Sequence, residues 1–304
     1  MLGLINITPG SQVIPGFFIG WYGVAYVIGL AVLLLLSQRE AERRGYAPSH
    51  VWNAFLVVAV FALIGARLYH VIDEWGHGAT YSLDPIRAIL PPYAGLGLYG
   101  GIAGAMIGIL IYVKWQRLPF RLALDVVVPG TLLAQGIARW GNFFNQELYG
   151  PPTDLPWGIT IDCAHRVTQY PCSTFPFATT GFHPLFFYES SLDIIGGLIA
   201  LYLTRRLLAR LQPGDLGAFW LIWYGTVRFF LEFFREGWNW TLGGLPTAQI
   251  IGIGVVLFGI GWLAYNHRPG SKPYPYLPPY VAPPQPELAT DPALDPDQDE
   301  EDDA

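Results

Sequence analysis

Seven apolar stretches, separated by polar or proline-bearing sequence, recur along the 304-residue chain. They cover about residues 16–37, 51–72, 97–113, 122–138, 185–204, 216–235 and 246–265. A helix crossing the hydrocarbon of a bilayer takes roughly 20 mostly apolar residues. The pattern therefore predicts an all-α integral membrane protein, a bundle of about seven transmembrane helices, with the third and fourth spans short. The first run is too long, and begins too late, to be a cleaved signal peptide. Residues 1–15 read as a short extracytoplasmic lead-in, and no repeat suggests a solenoid.

The polar positions between these runs give the chain a direction. Arg39, Arg43 and Arg44 follow the first run, and Lys114, Arg117 and Arg121 separate the third from the fourth. Arg205, Arg206 and Arg210 follow the fifth, and Arg268 and Lys272 the seventh. All eleven fall on one side of the alternating spans. Basic residues concentrate in cytoplasmic loops, so the N-terminus is expected outside and the C-terminus in the cytoplasm. Residues 1–267 then form one transmembrane domain, whose longest loop, about 139–184, is extracytoplasmic. In the third span Gly100, Gly104 and Gly108 recur every four residues and make one smooth face. Such a face lets helices approach closely.

Composition agrees with this picture. Only 13% of residues are charged, about half the share in a soluble domain, and the 11 Trp and 17 Tyr suit headgroup-level anchoring. The net charge of −6 is misleading, because nine of the 23 acids lie between Glu287 and Ala304, leaving 14 against 17 bases in the body. The segment 268–304, Pro-rich and then acidic, is expected to be a disordered cytoplasmic tail. No nucleic-acid partner is expected. Both cysteines, Cys163 and Cys172, fall in the outer loop. A disulfide is chemically permitted there, and two free or buried thiols are the alternative.

Six basic residues stand outside the cytoplasmic clusters: Arg67, Arg87, Arg139, Arg166, Arg228 and Arg235. Arg87 and Arg166 sit in outer loops, whereas the other four lie within or at the outer ends of apolar runs. A charge at a helix centre costs about 3 kcal/mol or more on insertion scales, so these arginines need carboxylate, phosphate or water partners. Arg139 opens the run Arg139-Trp140-Gly141-Asn142-Phe143-Phe144-Asn145-Gln146-Glu147-Leu148-Tyr149-Gly150. Arginine grips a phosphate with two parallel N–H groups, and asparagine can donate to phosphate or ester oxygens. The same run also fits a structural role, in which Arg139 pairs with Glu147 and the amides cap a helix end. In the sixth span Arg228 and Glu232, four apart, share one helix face, where an ion pair could serve packing alone. Trp21-Tyr22-Gly23 opens the first span and His183-Pro184-Leu185-Phe186-Phe187-Tyr188-Glu189 the fifth, both at the depth of Arg139.

With these residues the chain resembles the bacterial prolipoprotein diacylglyceryl transferases. The run from Arg139 to Gly150 is similar to that family's signature, R-x-G-N-F-x-N-x-E-x-x-G. The W-Y-G element, the H-P-x-x-x-Y-E element, the R-F-x-x-E-F-F-R stretch and Gln249 fall in matching order across about residues 11–267. The resemblance implies a seven-helix enzyme of the bacterial cytoplasmic (inner) membrane with its site toward the extracytoplasmic side. It implies transfer of diacylglyceryl from phosphatidylglycerol to the lipobox cysteine of a preprolipoprotein, forming a thioether and releasing glycerol 1-phosphate. No cofactor or metal is expected, since neither Cys163 nor Cys172 lies beside a His-rich constellation. By position, Tyr22, Arg139, Asn142, Glu147, Gly150, Arg228 and Glu232 correspond to family residues implicated in activity or lipid binding, and Asn145 and His183 join them as substrate-binding candidates. Many members carry His where this chain has Tyr99, and that His has been proposed as a base. Tyr99 is thus a third catalytic candidate beside Arg139 and Arg228, although a phenol with a pKa near 10 is a poor base at neutral pH.

Three rival readings compete. A lipid or solute transporter would also hold intramembrane charges, but no inverted repeat of broken helices is evident. An intramembrane serine protease would need a nucleophile site such as G-x-S-x-G, which the sequence lacks. A scaffold would hold only structural ion pairs. The topology has a direct check: alkaline phosphatase fused after Lys272 should be inactive and a fluorescent protein there should glow, and the reverse would invert the bundle.

Overall fold

The structure is a computed structural model that describes residues 20–77, 86, 95, 97–235, 241–271 and 280–281. The expected lead-in, the first residues of the first span, Arg87 and most of the tail lie outside the described residues. Seven long helices account for the apolar runs: α1 (Trp21–Arg43), α2 (Ser49–His77), α3 (Leu98–Trp115), α4 (Phe120–Ala138), α6 (Leu185–Arg206), α7 (Asp215–Leu231) and α8 (Thr247–Asn266). A six-residue helix, α5 (Trp140–Asn145), follows α4. Helices α1, α2, α4, α6 and α8 are long and apolar enough to cross a membrane, and α3 and α7 are shorter. The bundle is therefore that of a multi-pass membrane protein.

Helix ends differ from the pattern in a consistent way. Arg39 and Arg43 lie inside α1, and Arg205 and Arg206 inside the last turn of α6. Backbone groups at the membrane boundary still need hydrogen bonds, so helices continue into polar sequence where hydropathy has already fallen. α2 likewise runs on to His77. α7 stops earlier than its apolar run, at Leu231, and tightens into a 3₁₀ turn over Glu232–Phe234.

Helices α2 and α3 form an intimate hairpin. A Cβ on Gly100 would sit 2.1 Å from the Gly65 carbonyl oxygen, and one on Gly104 the same distance from the Phe61 carbonyl oxygen. The four-residue glycine spacing is the seam that brings these backbones together. The hairpin touches the rest of the bundle only sparsely, whereas α1 packs along α4, α4 along α6, and α7 along α8. Between the hairpin and the α1–α4 pair lies an apolar cavity of about 210 Å³, lined by residues that include Leu34, Ser37, His50, Val58, Tyr112 and Leu122.

One end of the bundle is tied by polar contacts. Arg44 on the α1 terminus donates to Glu40 Oε2 at 2.5 Å and to Thr204 of α6 at 3.0 Å, and the Thr204 hydroxyl donates to the same Glu40 oxygen at 2.6 Å. His50 Nδ1 and the Tyr112 hydroxyl are 2.9 Å apart, joining the first turn of α2 to the end of α3. Arg121 donates to Asn266 at 3.1 Å. The basic clusters thus gather at one end, as their alternation along the chain requires. Tyr280 of the tail meets that end too, its N–H donating to the Glu42 carbonyl at 2.8 Å.

Asp125, buried in the first part of α4, caps α7 from outside that helix. Its carboxylate accepts from the N–H of Gly214 at 2.7 Å, Leu216 at 2.9 Å and Gly217 at 3.2 Å. These are the orphan donors of a helix start, and the negative charge also matches the dipole there. Asp125→Ala would strand them, and each buried unsatisfied donor costs roughly 1–3 kcal/mol. With three donors stranded, the variant should lose about 3 kcal/mol of stability or more, read as earlier thermal unfolding in detergent. Asp154→Ala, at an exposed position in the loop between α5 and α6, should unfold with wild type. Equal unfolding of the two variants would remove the cap from any stabilising role.

Candidate active site

The opposite end of the bundle assembles from three chain segments. The first is the junction of α4 and α5, where Arg139 keeps a right-handed backbone between the two helices. Its Nη2 donates to Glu189 Oε1, one turn into α6. The Arg139 side chain is 27% exposed and that of Glu189 9%. The expected alternative, Arg139 paired with Glu147, is not what forms. Glu147 Oε1 instead accepts from Asn142 Nδ2 at 2.7 Å and Asn145 Nδ2 at 3.4 Å. Nor do the amides cap α5, which has no side-chain cap at its start.

The chain reverses here because Gln146 and Leu148 both adopt left-handed backbone, at φ 52° and 55°. That conformation costs roughly 1–2 kcal/mol in a residue with a Cβ. Gln146 is held in it by reciprocal bonds: its Oε1 accepts from Asp162 N at 2.7 Å, and its Nε2 donates to Asp162 Oδ2 at 3.3 Å. Strain of this kind collects at sites whose surroundings over-determine them. The signature glycines are points of close approach. A Cβ on Gly141 would lie 2.8 Å from the Tyr22 ring, and one on Gly150 would lie 3.0 Å from both His183 Cβ and the Phe234 carbonyl oxygen.

The second segment is the start of α1. Tyr22 donates to the Tyr26 hydroxyl at 3.0 Å, and its ring stacks on that of Tyr26. It lies within electrostatic reach of Glu147 and Arg139. Trp21 stacks on Phe144 of α5, with centroids 5.3 Å apart. The third segment is the end of α7. Arg228 pairs with Glu232 at 2.7 Å, and Arg235 lies 4.0 Å from the same carboxylate, whose side chain is 1% exposed. Gln249 Nε2 donates to the Phe229 carbonyl at 3.4 Å and holds α8 beside this turn.

Arg235 joins the halves, since it feels the charges of Arg228, Glu232, Glu189 and Arg139 together. Among the described residues, Arg139, Arg228 and Arg235 each engage a glutamate through one terminal nitrogen. A guanidinium carries five N–H donors in a planar fork, so each keeps donors for an incoming oxyanion. Asp193, one turn further along α6 than Glu189, is buried, its Oδ1 has no hydrogen-bond partner among the described residues, and it is within reach of Glu189 and Arg139. Sequence reasoning did not single out Asp193, whose only signal was its i+4 spacing from Glu189. It also set Glu189 and Arg235 inside motifs without giving either a role.

The long loop between α5 and α6 roofs this end. Tyr149, Ile159, Ile161, Phe182 and Phe186 form its buried core. The strands β1 (Pro152–Thr153) and β2 (Gly181–Phe182) pair antiparallel. Cys163 and Cys172 form a disulfide. Arg166 stays in the loop, its guanidinium 4.9 Å over the Phe182 ring and its Nε donating to the Ile161 carbonyl at 2.8 Å. His183 precedes α6; its carbonyl accepts from Gly150 N at 2.9 Å. Burial pulls the His183 imidazole below its ordinary pKa and pushes the Tyr149 phenol above its own. Tyr99 is elsewhere: it sits at the start of α3, is 70% exposed, and has its ring 5.9 Å from that of Tyr69. The described contacts of Tyr99 belong to the α2–α3 hairpin and not to the arginine cluster.

Residues 11–265 match the family described as prolipoprotein diacylglyceryl transferase. A relative from Chloroflexus aggregans, named phosphatidylglycerol–prolipoprotein diacylglyceryl transferase, is 40% identical over 264 residues, covering 82% of this chain and 85% of its own. A relative of the same name from Streptococcus uberis is 34% identical over 277 residues, covering 88% and 98%. One from a Nostoc species, also so named, is 35% identical over 276 residues, covering 88% and 94%. With a match of this extent, and the signature run folded into a turn among three arginines, the chain belongs to the prolipoprotein diacylglyceryl transferase family.

Proposed function

We propose that the protein transfers the diacylglyceryl group of phosphatidylglycerol to the lipobox cysteine of a preprolipoprotein, on the extracytoplasmic side of a bacterial cytoplasmic membrane. The observation that carries this reading is the convergence of Arg139, Arg228 and Arg235, each with guanidinium donors to spare, beside the Asn142–Glu147 turn. The thiolate attacks the glycerol carbon that bears the phosphate. A carbon–sulfur bond forms, the carbon–oxygen bond breaks, and its electron pair leaves on the phosphate of glycerol 1-phosphate. Charge therefore grows on the oxygen that the arginines face, and donors aimed there stabilise the transition state more than the ground state. The same positive field favours ionisation of the thiol, whose free pKa is near 8.5. Tyr22, Asn142, Asn145, Glu147 and Gly150 shape the headgroup pocket, while Glu189 and Glu232 orient the arginines in it. Tyr99, on the neighbouring hairpin, orients lipid or thiol by hydrogen bonding and is not the base. Transfer of radiolabel from phosphatidylglycerol to a lipobox peptide by purified protein tests the whole reading, and no transfer would refute it.

Variants test the parts. Arg139→Lys keeps the charge and loses the fork, so turnover should fall by about 10²-fold, the scale for losing one transition-state donor. Near-normal turnover would reduce Arg139 to a simple charge anchor. Asn142→Ala frees Glu147 and should lower turnover while folded protein is retained; collapse of folding would make the turn structural.

Tyr99→Phe should lose the worth of one hydrogen bond, about 0.5–1.5 kcal/mol or up to about tenfold in rate. A folded Tyr99→Phe enzyme slowed a thousandfold would make Tyr99 the catalytic centre.

A further inference from the structure

The arginine cluster accounts for phosphate, but not for the part of the lipid headgroup beyond it. A relay on the loop side of the cluster bears on that part. Trp157 donates its indole Nε1–H to the Tyr188 hydroxyl at 2.8 Å, and that hydroxyl lies 3.1 Å from His183 Nδ1. An indole nitrogen can only donate, so the Tyr188 oxygen is an acceptor toward Trp157. The Tyr188 proton has no other acceptor among the described residues. Donation to His183 Nδ1 satisfies all three groups at once. It makes Nδ1 an acceptor and leaves the ring proton on Nε2.

The ring itself is well fixed. His183 N donates to the Pro151 carbonyl at 3.1 Å, its carbonyl accepts from Gly150 N at 2.9 Å, and its ring packs 5.5 Å from that of Phe234. Gly150 closes the signature run and Phe234 precedes Arg235. His183 thus stands between the end of the signature run and the segment that leads into Arg235. Burial holds the imidazole below its ordinary pKa, so at neutral pH it is an uncharged donor.

We infer that His183, held as the Nε2–H tautomer by Trp157 and Tyr188, is a specificity-determining residue that donates a hydrogen bond to a hydroxyl-bearing lipid headgroup. This rests on the transferase reading above. A glycerol headgroup offers hydroxyl oxygens that accept from Nε2–H. An ethanolamine headgroup ends in an ammonium group that only donates, so the two donors meet and neither is satisfied. Discrimination by an unpaired polar group of this kind acts against the wrong ligand as much as for the right one. The loop residue Trp157 then sets headgroup choice without touching the lipid.

Two measurements on the full chain test this. The first is nitrogen NMR of protein labelled at its six histidines, with the His183 signal assigned by its loss in His183→Gln. Nε2–H should dominate in the wild type and give way in Trp157→Phe and Tyr188→Phe; an Nδ1–H wild type overturns the inference. The second is native mass spectrometry from micelles holding phosphatidylglycerol and phosphatidylethanolamine together. The ratio of bound lipids should fall about five- to tenfold in both variants, the worth of one hydrogen bond. His183→Gln, which keeps an N–H donor, should retain more of that ratio than His183→Ala. Folded variants with an unchanged ratio overturn the inference. Failure of the wild type to transfer label from phosphatidylglycerol would instead sink the underlying activity, and the tautomer measurement would still judge the relay.

Discussion

A cation in a low-dielectric bundle must have a partner, and in this protein the partner sits on another helix or on the next turn. Arg139 finds Glu189 across the α4–α6 contact, Arg228 finds Glu232 four residues on, and Arg44 finds Glu40 and Thr204. Burying a charge alone is far more costly than burying it paired, so these contacts fix helix rotation as well as helix position. The result is two polar ends separated by an apolar middle. One end is closed, with the Asp125 carboxylate and Glu40 Oε2 taken up by backbone and side-chain donors. The other end is left open, because three arginines bring more donors than two glutamates accept.

That surplus is what separates a site from a structural pair. In the chain, Arg228 and Glu232 looked equally suited to packing alone. The difference comes from Arg235, which the early end of α7 and its 3₁₀ turn bring toward both pairs. The Asn142–Glu147 contact works alongside it. By absorbing Glu147, the two amides keep a further carboxylate off Arg139 and leave that guanidinium open on one side.

Much of the architecture was legible in the sequence because it follows from local rules. Apolar runs marked the seven long helices, and glycine spacing marked the α2–α3 seam, both features that need no knowledge of distant residues. The site was legible in part. Arg139, Asn142 and Glu147 stood out as polar groups where apolar ones are expected, but their pairing did not. Glu189 lies 50 positions from Arg139, and no periodicity connects them. The left-handed backbone at Gln146 and Leu148 decided against the nearer partner, and neither residue type signals it. Helix ends were displaced for the opposite reason: hydropathy falls before hydrogen-bonding need does. Cys163 and Cys172 had an open outcome, and their meeting depends on how the loop folds over Phe182.

The glycine seam has a consequence for how the molecule comes apart. At Gly65 and Gly100, and again at Phe61 and Gly104, backbone lies on backbone, so α2 and α3 cohere over their shared length. Their boundary with the remaining helices is thin and hollowed by an apolar cavity of about 210 Å³. Lipid tails cover such a surface nearly as well as another helix does. The hairpin is therefore a cooperative unit in its own right, and mechanical force or denaturant would cleave the bundle along its boundary before breaking the hairpin itself.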